Sequence, residues 1–134
     1  MQAEAIAAPA ALSIATLPPL KAPLEGGTFA GLTTLPDGTH HAVVLLPDAP
    51  GSRLPWQQAM DWAAGIGARL PSRAIAALLY ANVRSSLQPK WHWTDETEGA
   101  SCAWGCVFSD GYQHYGGRSY EGSAVAVRLI PLTA

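Results

Sequence analysis

The chain is short of charge. Asp, Glu, Lys and Arg make up only 13% of its 134 residues, and the net charge is −2. Nucleic acid and anionic membranes are bound through clustered Lys and Arg. The eight basic residues here are scattered, so neither partner is expected. Long apolar runs are lacking as well. No stretch approaches the roughly 20 residues needed to span a bilayer as a helix, which argues against membrane insertion. The first stretch, MQAEAIAAPAALSIATLPPLKAPLEGG, has no basic start and is broken by proline, so a secretory signal is not expected. Cysteine is confined to Cys102 and Cys106. Zinc would need further ligands at suitable spacing, and none is evident. Two reduced thiols are the expectation, with a strained local disulfide as the alternative.

The motifs of catalysis are missing too. There is no Gly-x-Ser-x-Gly elbow. Gly116-Gly117 precedes Arg118 but lacks the strand–loop–helix setting and the Lys-Ser/Thr end of a phosphate loop. Asp95 and Asp110 are a thin basis for a pair of glycosidase carboxylates. Calcium-dependent sugar binding needs several oxygen ligands. The small acidic cluster Asp95, Glu96 and Glu98 is explained by a solvated loop. The chain is therefore expected to be non-enzymatic and to carry no metal or cofactor.

What is present is apolar and turn-rich: 49% hydrophobic residues, 13 Gly and 11 Pro. That suits one core-bearing domain of short elements. Residues 1–25 read as an Ala/Pro-rich extended arm, and residues 26–134 as the domain. Residues 28–35 and 40–46 form a predicted hairpin around Pro36-Asp37-Gly38-Thr39, where Pro fixes φ and Gly tolerates positive φ. After Pro55, a residue suited to a first helical turn, Trp56, Ala59, Met60, Ala63 and Ile66 recur at helical spacing. That helix closes near Gly65 or Gly67. Ser72 is an N-cap candidate for a second helix over 73–82, with the stripe Ile75, Leu78, Leu79 and Asn82. Strands are predicted over 90–94, 103–109, 111–115 and 123–130, with Asp110-Gly111 as a hairpin turn. The expected fold class is α+β, with two helices packed on short antiparallel strands and an extended N-terminal arm.

Five phrases occur in order: GGTFAGL, LPWQQAMDWAAGIGARLPSRAIAALLYAN, WHWTDE, AWGCVFSDGYQHY and AVAVRLI. Together they resemble a bacterial and prophage domain family related to the C-terminal domain of collagen-like bacterial adhesins. The resemblance runs from about Gly26 to Ile130. It rests most on the pair Trp-x-x-Ala and Gly-x-x-Leu-Pro-Ser-Arg and on the Trp-x-Trp-Thr strand. It implies a compact C-type-lectin-like fold, related to that of formylglycine-generating enzymes. The chain departs from that pattern in three places. An acidic residue expected near Ile75 or Ala76 is absent, the family's Trp-Tyr-Trp-Ser-Ser strand reads WHWTD, and an Arg-x-Arg pattern has become Ala124-Val125-Ala126-Val127-Arg128. The calcium triplets of such lectins are absent as well, with Gln88-Pro89-Lys90 ending in a cation. The cysteines do not match the enzyme's cysteine motif.

The expectation is a phage virion protein: a tail-tip, fibre or other surface subunit made in the bacterial cytoplasm. Its arm would bind other virion subunits, and a homo-oligomer is expected. A soluble, calcium-independent carbohydrate-binding or adhesin module is the alternative. The two merge if a virion tip binds a surface glycan. The candidate ligand-binding residues are Trp91, His92, Tyr112, His114, Tyr115 and Tyr120, since an exposed ring stacks on a sugar and a polar tip orients it. Trp93 and Trp104 are expected in the core, with Phe108 beside them. Trp91 would share the Trp93 face and be mostly buried, or be exposed if a bulge intervenes.

Overall fold

The strand His40–Leu45 carries Ala42, Val43, Val44 and Leu45 in succession. An unbroken apolar run in a strand calls for cover on both faces. In the computed structural model, which describes residues 10–133, all four side chains are buried. Their two covers differ. Ala42 and Val44 join a cluster with Trp56, Ala59 and Ala63 of one helix. Val43 and Leu45 join a second cluster with Ile75, Ala76, Leu79 and Val83 of the other.

In chain order the elements are β1 (Leu12–Ser13), β2 (Pro23–Leu24), β3 (Gly27–Thr34), β4 (His40–Leu45), α1 (Trp56–Gly65), α2 (Arg73–Val83), β5 (Trp91–Glu98), β6 (Cys102–Val107), β7 (Gln113–Gly117) and β8 (Val127–Thr133). They form a five-stranded sheet in the order β1-β8-β4-β3-β2 and a three-stranded sheet in the order β5-β6-β7. The β3–β4 hairpin closes as its turn residues require. Asp37 Oδ1 accepts from the Thr39 N–H and hydroxyl, and Gly38 takes φ +86°. Ser72 caps α2, its hydroxyl accepting from the Ile75 N–H, a contact worth about 1 kcal/mol.

The expected α+β class is overturned. Strand accounts for 39% of the described residues and helix for 22%, so they are mostly β, with two sheets and two short helices. The helices do not form one layer on one sheet. They lie against opposite faces of the five-stranded sheet, each as a cover for alternate residues of β4. Local periodicity cannot show this, because the sheet is made by pairings across the whole length of the chain. β8 runs antiparallel to β4 on one side and parallel to β1 on the other. The extended arm in that expectation is corrected too. Leu12–Ser13 pairs with Leu132–Thr133, and Pro23–Leu24 pairs with Gly27–Thr28. Leu12, Leu17 and Leu24 pack on the core. The rest of the predicted arm, residues 1–9, lies outside the described residues.

Cys102 and Cys106 are both free thiols. They lie four residues apart along β6, which in a strand means about 13 Å. A disulfide needs Cα atoms within about 7 Å, so the alternative of a local bridge is excluded. Burial pushes the Cys106 thiol up from its ordinary value. A thiol reagent is therefore expected to label Cys102, which is partly accessible, and to reach Cys106 only in denaturant. Fast labelling of both in the native protein would contradict this packing.

Candidate functional site

The three-stranded sheet has two faces of different character. Register sets them, since residues paired across strands share a face. Trp93 pairs with Gly105, and Gly105 with His114, while Cys106 pairs with His92 and Gln113. Alternation then puts Trp91, Trp93, Ala103, Gly105, His114 and Gly116 on the first face. It puts His92, Trp104, Cys106, Gln113 and Tyr115 on the second.

The first face answers the question of Trp91 and Trp93. The two rings do share a side, at 4.4 Å between centroids in an edge arrangement. The β5 irregularity falls between Trp93 and Thr97, beyond both. Trp93 is 0% exposed and belongs to the core, its indole N–H donating to the Leu54 carbonyl at 2.8 Å. Trp91 is half-buried. It lies over backbone with no side chain in the way. A Cβ at Gly105 would overlap its ring, and one at Gly122 would stand 2.6 Å from its Cζ3. His114 stacks beside it at 5.7 Å, Tyr120 meets its edge at 5.5 Å, and Tyr112 leans on His114 at 5.4 Å. Tyr112 and Tyr120 are 63% and 55% exposed. Four of the six predicted ligand-binding residues, Trp91, Tyr112, His114 and Tyr120, thus form one continuous aromatic surface.

The other two are placed elsewhere. Tyr115 is exposed on the second face, edge-on to Trp104 at 5.1 Å. His92 is buried against Phe108 at 4.9 Å. Trp104 also departs from expectation: it is partly exposed and does not pack beside Trp93. The pairing of Trp93 with Gly105 turns the neighbouring Trp104 to the opposite side. There Arg73, the first residue of α2, lies over it with Cζ 3.6 Å from the ring centroid. Arg73 Nε donates to Gln113 Oε1 at 3.0 Å, and Gln113 Nε2 donates back to the Arg73 carbonyl at 2.8 Å. This stack joins α2 to the second sheet. No sequence motif marked it.

The acidic cluster is structural, and it sits in β5 rather than in a loop. Glu96 Oε2 accepts from the backbone N–H of Arg73 at 2.7 Å, satisfying an open donor at the start of α2 where negative charge is favoured. Burial raises the Asp95 carboxyl above its ordinary value, and Arg69, 3.7 Å away, works against that rise. Among the described residues no group of three or more His, Cys, Asp and Glu gathers to hold a metal ion. No helix of the described residues is long and apolar enough to cross a membrane.

The glycine seat under Trp91 is the part of the site that sequence reasoning missed. Its signal was present: Gly105 stands in the middle of a strand, where glycine marks a close approach. Turned to known proteins for comparison, the chain matches no protein-family model and no curated protein.

Proposed function

We propose that this protein is a non-enzymatic attachment protein that holds a glycan on the aromatic surface of Trp91, Tyr112, His114 and Tyr120. The single observation that carries the reading is that surface: four adjoining rings on one sheet face, two of them more than half exposed. Sugar rings present apolar C–H faces that lie well on aromatic faces, while the tyrosine hydroxyls and the imidazole offer hydrogen bonds at the rim. Trp91 and His114 are held by strands β5 and β7, so little ordering cost accompanies binding on those two rings. The adhesin-related phrases support placing this activity on a phage particle, as a tail-tip, fibre or other surface subunit assembled with its neighbours. Repeated copies would turn weak single-site stacking into firm adhesion.

Two experiments test the two parts. Titration with a panel of host-surface oligosaccharides, followed by tryptophan fluorescence, is expected to give saturable binding. Tyr120→Ala and Tyr112→Ala are each expected to weaken it about 3- to 10-fold, in line with roughly 1 kcal/mol per stacked ring. Both positions are exposed, so the variants should keep their fold. A silent panel, or binding indifferent to both substitutions, would sink the glycan reading. Separately, density-gradient fractions of induced phage are expected to contain the protein with intact particles after a salt wash. Its absence from particles would remove the virion reading and leave a soluble module.

A further inference from the structure

Behind the second sheet face lies a cavity of about 470 Å³. That volume is within the range of small-molecule sites. The chain from Leu45 to Arg53 forms one wall. The others come from residues 86–88 with Lys90 and His92, and from residues 123–125. None of the four aromatic-surface residues lines it.

Its charged lining is Arg53 and Lys90 against the single carboxylate Asp48. One positive charge is left over for an anion. Arg supplies a planar donor fork that fits a carboxylate, and Lys adds a mobile point charge. Leu45, Leu46, Leu87 and Val125 contribute apolar surface.

His92 adds a more specific feature. It is 3% exposed and lines the cavity. Its Nδ1 lies 2.8 Å from the Lys90 carbonyl oxygen. A carbonyl only accepts, so Nδ1 carries the proton, and in the neutral ring Nε2 is then an acceptor. Burial holds the His92 pKa below its ordinary value, which keeps the ring neutral at pH 7. Among the described residues Nε2 has no hydrogen-bond partner. An unused acceptor in so buried a side chain asks for a donor from a ligand or water.

We infer that this cavity binds a small hydroxylated carboxylate of the sugar-acid class, with Arg53 and Lys90 on the carboxylate and a ligand hydroxyl donating to His92 Nε2. The site is separate from the aromatic surface and does not depend on that surface binding anything.

The test is calorimetric titration of the full chain with glucuronate, glucose and glucose 6-phosphate at pH 7. Glucuronate is expected to bind saturably and glucose at least about tenfold more weakly. Arg53→Ala and Lys90→Ala should each weaken glucuronate about tenfold, whereas Tyr120→Ala should leave it unchanged. Glucuronate should also move the His92 Nε2 nitrogen resonance of labelled protein. The inference is overturned by no glucuronate binding, by equal binding of glucose, or by binding that survives the Arg53→Ala/Lys90→Ala double substitution. Preference for the phosphorylated sugar would overturn the carboxylate class. An unmoved His92 resonance would overturn the assigned hydrogen bond.

Discussion

Replacing Trp93 with alanine is expected to cost about 3–5 kcal/mol, enough to unfold much of the population at 37 °C. The side chain is wholly buried among Trp56, Ala59, Ala63 and Ala103. It is a seam between α1, the second sheet and the inner face of the first. Its loss leaves a large cavity and also removes one of two donors to the Leu54 carbonyl, the other being the Gly122 N–H. That carbonyl belongs to a segment whose backbone bridges to Gly122. The Trp93→Phe variant keeps most of the volume and loses the N–H. It should cost distinctly less, about 1–3 kcal/mol for the lost hydrogen bond and the smaller ring. Urea unfolding followed by circular dichroism measures both. A Trp93→Ala protein as stable as the parent would mean that the second sheet does not rest on this core.

Gly105→Ala is expected to have an effect out of proportion to one methyl group. The new Cβ would occupy the place of the Trp91 indole. Either the ring swings out or the β5–β6 pairing opens, at a cost of about 1–3 kcal/mol. Because Trp91 is the ring on which His114 and Tyr120 lean, the aromatic surface should come apart as well. Glycan binding should then fall by at least about tenfold while the protein still folds. Gly117→Ala is the control, since a Cβ there meets nothing within 4 Å, and it should leave both properties nearly unchanged. Urea unfolding and the glycan titration, run on both variants, separate the two effects. Unaltered binding by Gly105→Ala would show that the seat beneath Trp91 is irrelevant to the surface above it.

The parts of this molecule that were legible in advance are those set by neighbours in the chain. The hairpin turn at Asp37-Gly38, the Ser72 cap and the spans of both helices follow from turn chemistry, capping and a 3.6-residue period. Each lies within a residue or two of its expected place. The spacing of Trp91 and Trp93 predicted a shared face unless a bulge intervened, and the structure puts the β5 irregularity beyond both. Spacing did not say what lay opposite them. Trp104 was expected beside Trp93, but that depended on the β5–β6 register, and a register shifted by one residue reverses every face. The same register made Gly105 the floor under Trp91 and divided Tyr115 from the other tyrosines.

Composition and local pattern alone determined a weakly charged, core-bearing domain with two amphipathic helices, a β-hairpin and an aromatic-rich second half. They did so because charge content, periodicity and turn residues act over a few positions. Tertiary structure alone decided that the protein is mostly β, that residues 12–13 and 23–24 extend its main sheet, and that the two helices cover opposite faces. It also decided which aromatic rings meet, and it set Arg53, Lys90 and His92 around one cavity. Each of these joins segments far apart along the chain. The hydrogen bonds and buried surface that favour such pairings exist only once the ends have met.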